Sequence, residues 1–211
     1  GARRVYIEEE PKVAAIGAGM DISKPEANMV VDIGGGTTDI AILSLNGIVV
    51  SSSIKLAGNV FDQDIIRYIR DKYKLLIGEK TAEDIKINFA TVYKPSRKQK
   101  KEIKGRSLIT GLPSIIEITQ DETTEALKES TAKIIKETIA VLEQADPELS
   151  ADIVEKGIVL TGGGALLKGL INLFEQELKV PILIATSPLT CVAEGTGVLL
   201  DDIKSLENDQ N

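Results

Sequence analysis

The sequence predicts an α/β fold in which a mixed sheet with packed helices is interrupted by a smaller α+β insertion. Three observations carry that prediction. Strands lead into helices at both ends of the chain, and a polar, weakly patterned stretch lies between them. Two apolar runs also end in three consecutive glycines, "VVDIGGGTTD" and "IVLTGGGALLKGL". With 211 residues, 43% of them hydrophobic, the chain is long enough to bury a core of that size.

Taken in order, "RRVYI" reads as the end of a strand. Pro11 suits a first helical position, because it lacks only an N–H that has no partner there, so Glu10 stands at a strand-to-helix junction. Val13 to Ile16 continue a short helix that Gly17 or Gly19 can end. "NMVVDIGGG", "TDIAILSLNG" and "IVVSSSIKLAG" read as a β-meander whose turns are the glycines and Asn46-Gly47, the latter a strong hairpin signal. From Gly58, the helical spacing of Phe61, Ile65, Ile69 and Tyr73 predicts an amphipathic helix stopped by Gly78. Thr81, with Asp84 three residues on, reads as a capping box that opens a second helix. Lys94 to Thr119 is polar, with "RSLITGLP" and "SIIEIT" as short strands. A long helix follows over Thr123 to Ala145, with Leu127, Ile134 and Val141 on one face, and Pro147 ends it or starts a short successor. The last part alternates strand "GIVLTGGG", helix "ALLKGLINLFEQELK", strand "VPILIA" and a helix entered through Pro188. The insertion is placed at 56–123, between main-domain segments 1–55 and 124–211.

Composition removes several classes of function. Without histidine there is no imidazole triad and no histidine-ligated metal, so acid–base chemistry must use carboxylates, lysines or water. A lone Cys191 allows no internal disulfide and reads as a small buried hydrophobe in a reducing, cytoplasmic interior. No apolar run approaches the ~20 residues of a membrane span, and the N-terminus has no signal-peptide core. The net charge of −7 argues against nucleic acid as a partner. One local exception, the basic stretch Lys94 to Lys104 around Pro95 and Ser96, reads as a solvated surface loop or as a contact for an anionic membrane or partner.

The glycine loops carry the chemistry. Neither fits the standard G-x-x-x-x-G-K-[ST] or G-x-G-x-x-G phosphate signatures. Lacking Cβ, glycine tolerates positive φ and lets backbone N–H groups close on an anion. In the first loop a strand resumes after the turn, with the Thr37 and Thr38 hydroxyls available; in the second a helix follows, whose N-terminal dipole favours an anion. Either loop could instead be a tight turn that needs no ligand. Asp32 offers a hard oxygen for Mg²⁺, held directly or through water, or it caps the turn. Glu10 could likewise be a helix cap beside Arg3 or Arg4.

Four segments, "GARRVYIEEEPKVAAIGAG", "MVVDIGGGTTDIAILSLNGIV", "YKLLIGEKTAEDIK" and "GIVLTGGGALLKGL", resemble in order and spacing the MreB family of bacterial actin-like filament proteins. That family belongs with actin, sugar kinases and heat-shock chaperone ATPases. The "IGEKTAEDIK" segment and the "PLTCVAEGTG" tail narrow the likeness to MreB within that superfamily. The resemblance implies an actin-like ATPase half, a ribonuclease-H-like subdomain IIA (1–55 and 124–211, with the C-terminal helix) carrying an inserted subdomain IIB (56–123). It implies ATP or ADP as ligand and Mg²⁺ as its ion. Gly34, Gly35, Gly36 and Thr37 match the loop that holds the β- and γ-phosphates, and Asp32 the residue that orients Mg²⁺ through water. Glu10 and Thr37 match the catalytic pair that places the attacking water. Glu83 and Lys86 match the ribose and base contacts, Asp84 and Ile85 between them are counted with the nucleotide-binding residues, and Gly162, Gly163, Gly164 and Ala165 match the adenosine loop. Lys12, Val13 and Lys80 depart from the family pattern, and 90–107 matches it poorly.

The family's first lobe, opened by an Asp-x-Gly-Thr hairpin, has no counterpart here, and neither has its membrane-inserting element. The chain therefore reads as the second lobe, without a membrane anchor of its own and weakly active by itself. The expected whole is a slowly hydrolysing cytoskeletal filament that sets cell shape and organises cell-wall synthesis. It would self-associate, meet membrane-protein partners of the cell-shape machinery, and lie in the cytoplasm at the inner face of the membrane. The alternative is a non-hydrolysing scaffold or docking module with a vestigial site. A small-molecule kinase would need a substrate pocket that nothing in the sequence indicates.

Overall fold

A computed structural model describes residues 5–94 and 99–208. The elements are α1 (Glu10–Gly17), β1 (Asn28–Ile33), β2 (Thr38–Ser44), β3 (Gly47–Ile54), α2 (Gly58–Tyr73), β4 (Leu75–Leu76), α3 (Glu79–Asn88), β5 (Lys100–Ser107), β6 (Pro113–Thr119), α4 (Gln120–Glu143), α5 (Pro147–Lys156), β7 (Ile158–Thr161), α6 (Leu170–Leu178), β8 (Ile182–Ile184) and α7 (Cys191–Asn208). The fold is α/β, as the sequence predicts.

The main sheet has the order β3-β2-β1-β7-β8, antiparallel across β1, β2 and β3 and parallel from β1 through β7 to β8. Its central strand β1 is buried along its whole length because both faces are covered. Met29, Val31 and Ile33 join the larger core, while Val30 joins a smaller one with Ala14 and Ala15 of α1. By that alternation Asp32 shares the α1 face with Val30. The Asp152 carboxylate on α5 accepts the Ala27 N–H at 2.8 Å and fixes the entry into β1.

Helices α1 and α7 cross backbone to backbone. A Cβ on Gly17 would stand 1.8 Å from the Cys191 carbonyl oxygen, and one on Gly195 2.0 Å from that of Val13. Only glycine fits at either position. Cys191, at the start of α7, is 1% exposed and directs its thiol to the Ser187 carbonyl at 3.2 Å, as expected of a buried small hydrophobe.

A second, antiparallel sheet has the order β4-β5-β6, with α2 and α3 beside it. Ile103 of β5 and Ile118 of β6 belong to the same core as Met29 and Ile33 of the main sheet. Phe61, Ile65 and Ile69 of α2 lie in that core too, as their spacing predicts.

Several local expectations are corrected. Val5 to Glu9 form no strand, and Val5 and Ile7 are 77% and 91% exposed; Arg3 and Arg4 lie outside the described residues. The β2–β3 hairpin forms where predicted, but Ser44 pairs with Gly47, so the turn residues are Leu45 and Asn46, at φ of 51° and 61°. Helix α2 ends at Tyr73 rather than Gly78, because Lys74 turns left-handed and Leu75 and Leu76 pair with Ser107 and Arg106. The capping box at Thr81 does not form: Gly78 is the N-cap and the helix starts at Glu79. A full box occurs instead at Thr119 and Glu122, and it starts α4 at Gln120, three residues before the expected Thr123. The basic stretch ends in β5, where Lys100 and Lys101 pair with Glu117 and Asp84; Pro95 and Ser96 lie outside the described residues.

Candidate functional site

The first glycine loop is the β1–β2 turn. The Gly34 N–H donates to the Thr37 carbonyl at 3.0 Å and closes the turn. From the other side, the first amides of α2 grip the loop: Gly58 N–H donates to Gly34 O at 3.1 Å and Asn59 N–H to Gly35 O at 2.8 Å. With these carbonyls engaged, the Gly35 and Gly36 N–H groups have no backbone acceptor among the described residues. None of the three glycines has positive φ, contrary to the conformational reason for expecting glycine there. A Cβ on Gly36 would meet nothing within 4 Å. The space in front of the loop is open, so packing within the chain does not require glycine at that position. Thr38 is not available to a ligand, because it is buried and donates to the Leu56 carbonyl at 2.6 Å. Thr37 is half-buried, and its hydroxyl makes no hydrogen bond among the described residues.

The second loop has different reasons for its glycines. Gly162 has φ of 77°, and a Cβ there would stand 2.3 Å from Ile33 O and 2.4 Å from Asp32 Oδ1. One on Gly164 would stand 2.3 Å from Ile33 Cγ2. These glycines let β7 run out against the end of β1, which brings the two loops side by side. No α-helix follows directly: residues Gly163–Leu166 form a 3₁₀ turn, and α6 begins only at Leu170 after Gly169, at φ of 83°. The expected helix dipole therefore does not point at this loop. Ala165 is buried beneath the turn.

Between the loops and α3 lies a cleft of about 450 Å³. Gly34 and Gly35 line it on one side, Gly163 and Gly164 on another, and Glu83 and Lys86 of α3 on the third. Asp84 and Ile85 are not among its lining. Helical geometry turns them away from the face that carries 83 and 86. Ile85 is buried in the core, and Asp84 pairs with Lys101 at 2.6 Å and Asn88 at 2.8 Å. The sequence reading missed Gly58, Asn59 and Phe61 at the start of α2, and Ile87, Leu166 and Leu189, which give the cleft its apolar walls. Its legible signal was "AGN" at a strand-to-helix junction, whose free amides are natural hydrogen-bond donors.

Asp32 stands behind the loops, 5% exposed, next to Thr161 on the paired strand β7. Burial pushes its carboxyl up to about 6; the neighbouring Thr161 hydroxyl opposes that shift, and the charges of Glu10 and Asp39 add to it. Thr161 Oγ is itself buried with no partner at hydrogen-bond distance, so its relief of Asp32 is partial. Glu10 is exposed in the first turn of α1, near enough to Asp32 for their charges to interact. The α1–β1 face thus gathers two carboxylates behind the first loop. A second hollow of about 450 Å³, between α2 and α4, is lined by side chains already paired with one another, such as Arg67 with Asp64.

A family model described as "MreB/Mbl protein" matches residues 1–208. The cell shape-determining protein Mbl of Bacillus subtilis (strain 168) is 58% identical over 206 residues, 98% of this chain and 62% of that protein. The cell shape-determining protein MreB of Escherichia coli (strain K12) is 48% identical over 203 residues, 96% of this chain and 58% of that protein. The chain thus spans about three fifths of the length of these relatives. Among solved structures, MreB5 of Spiroplasma citri bound to AMPPNP superposes with a TM-score of 0.95 at 43% identity, covering 100% of this chain and 63% of that one. The double helical filament of MamK superposes at 0.76 and 24% identity over 92% of this chain and 58% of that one, a likeness of fold alone.

Proposed function

The chain belongs to the MreB/Mbl family, and from that premise we propose that it is the second, nucleotide-gripping lobe of an actin-like filament protein that binds ATP, hydrolyses it slowly and helps set cell shape. The observation that carries this reading is convergence: two glycine loops and one face of α3, far apart in sequence, line a single cleft. A relative of high structural similarity was solved with AMPPNP and another with ADP, which supports a nucleotide as the ligand.

Each group of residues has a chemical task in this reading. The free amides of Gly35 and Gly36 receive the β- and γ-phosphates, for which backbone N–H groups in a turn are natural donors. Gly163 and Gly164 leave room for the adenosine, with Leu166 and Leu189 as apolar contacts, while Glu83 and Lys86 supply its polar contacts. Glu10 and Thr37 orient the attacking water, a positioning role that suits phosphoryl transfer, where the protein has little covalent chemistry to do.

The residues also fit Mg²⁺. Among the described residues no cluster of three or more carboxylates, thiols or imidazoles could cage a metal without help. A single buried carboxylate beside phosphate oxygens suits Mg²⁺, which keeps several waters and takes few protein ligands. Bound with the nucleotide, the ion would supply positive charge against the phosphates. Burial raises the Asp32 carboxyl to about 6, and a nearby cation would favour its charged form.

The wider setting, with self-association into filaments and membrane-protein partners at the inner face of the membrane, follows from the family and extends beyond this chain. No helix among the described residues is long and apolar enough to cross a membrane. In the full-length protein, Glu10→Ala and Thr37→Ala should slow phosphate release while nucleotide remains bound, and unchanged hydrolysis would remove both from the catalytic role. Calorimetric titration with Mg·ATP tests binding itself. If neither the full-length protein nor this chain took it up, the non-hydrolysing scaffold would be the better reading.

A further inference from the structure

Lys86 lines the cleft, but it is not a free cation. Its ammonium donates to Asp62 Oδ2 at 2.8 Å and to the Gly58 carbonyl at 3.0 Å. Asp62 sits on the inner side of α2, 9% exposed, and its other oxygen is buried without a partner. A lysine ammonium has three N–H donors, so two are committed and one remains. The positive charge, meanwhile, is matched at contact distance by a carboxylate. Glu83 is the other charged residue lining the cleft, so with Lys86 neutralised the cleft wall holds no uncompensated cation among its described residues.

We infer that Asp62 is a specificity-determining positioning residue: it converts Lys86 from a general anion trap into a single hydrogen-bond donor directed at the uncharged nucleoside part of the ligand. The inference rests on the nucleotide reading above and deepens it. An unpaired ammonium in a cleft attracts any polyanion, so it cannot distinguish ATP from bare phosphate chains. A neutralised ammonium with one free N–H rewards a correctly placed acceptor and little else, which is discrimination built by removing a non-specific attraction. The same pair ties the two ends of the cleft together. Gly58 accepts from Lys86 through its carbonyl and donates through its N–H to Gly34, so the nucleoside side and the phosphate loop share one residue as an anchor.

The test titrates this chain, at fixed Mg²⁺, with ATP and separately with inorganic tripolyphosphate, following the amide resonances of Gly35 and Gly36. The wild type should prefer ATP by about tenfold or more, with little salt dependence for tripolyphosphate. Asp62→Asn should tighten tripolyphosphate about threefold or more, most at low salt, and shrink the ATP preference, whereas Asp62→Glu should restore it. A variant Asp62→Asn with wild-type affinities and salt dependence would overturn the inference and leave the nucleotide reading standing. The double variant Asp62→Asn/Lys86→Gln provides a check that leaves no unpaired charge behind. It removes the pair at constant net charge and should leave tripolyphosphate affinity unchanged; a fall of about fivefold or more would mean that Lys86 acts as a charge on phosphate despite its partner and would also overturn the inference. If neither the wild-type chain nor the full-length protein bound either ligand, both readings would be overturned together.

Discussion

Replacing Asp32 with asparagine should stabilise the free protein at neutral pH, and the gain should shrink as the pH falls. The ordinary carboxyl value of 3.8 is raised to about 6 here, chiefly by burial. A raised acid favours the folded state while it is protonated. Its stabilising effect is therefore complete below pH 3.8 and is lost as the pH rises through about 6. A difference of about two pH units, at roughly 1.4 kcal/mol each, puts the cost of the ionised carboxylate at no more than about 3 kcal/mol. Local relaxation around the ionised carboxylate recovers part of that, so about 1–2 kcal/mol of pH-dependent difference should survive between pH 4.5 and 8. Urea unfolding of both proteins at several pH values, followed by circular dichroism, measures it. Asparagine could gain or lose a contact with Thr161, but such an offset is constant with pH, so the slope carries the test. A stability difference that stayed flat from pH 4.5 to 8 would refute the argument that Asp32 is held in an unfavourable, counter-charge-seeking site.

Three further outcomes follow from the same structure. Gly36→Ala should leave stability unchanged or raise it by about 0.5 kcal/mol while weakening Mg·ATP binding, whereas Gly162→Ala should cost about 2 kcal/mol or more, as thermal melts and calorimetry would show. Glu122 accepts from Thr119 and Tyr73 and pairs with Lys72, and these partners, against its burial, hold its carboxyl down at about 2. A depressed acid stabilises the fold above its ordinary 4.5 and loses that effect as the pH falls toward 2, so Glu122→Gln should cost about 1–2 kcal/mol at pH 7 and progressively less below pH 4.5 in urea titrations. Phe61→Ala, at a fully buried position of α2, should cost about 3–5 kcal/mol in the same assay.

What the sequence made legible is local or repeated. The spacing of Phe61, Ile65 and Ile69 gave the buried face of α2, and Asn46-Gly47 gave the hairpin to within one residue, because both signals act between near neighbours. The errors share the opposite cause. Tyr73 and Gly78 continue a helical pattern, yet Leu75 and Leu76 leave the helix to pair with β5, some thirty residues further along the chain. A partner at that distance has no local trace. At the site, Glu83 and Lys86 were legible as a pair on one helical face, but assigning Asp84 and Ile85 with them treated a helix as if it were an extended strip. Asp62 was invisible as a partner of Lys86 because nothing in "NVFDQDI" says which of its acids turns inward. The two glycine triplets look alike as text and differ in cause: Gly162 and Gly164 answer to packing, while Gly36 faces open space.

The core shared by the two sheets bears on how the molecule comes apart. Ile103 and Ile118 of the small sheet belong to the same cluster as Met29, Ile33 and Phe174, and so do Phe61 of α2 and Leu127 of α4. The sequence reading sets 56–123 apart as an insertion, whereas the shared core predicts that it unfolds together with the rest. Heating should produce one calorimetric transition rather than two, with the van't Hoff enthalpy equal to the calorimetric one. Excising the insertion would leave a torn hydrophobic face in place of a smaller stable protein.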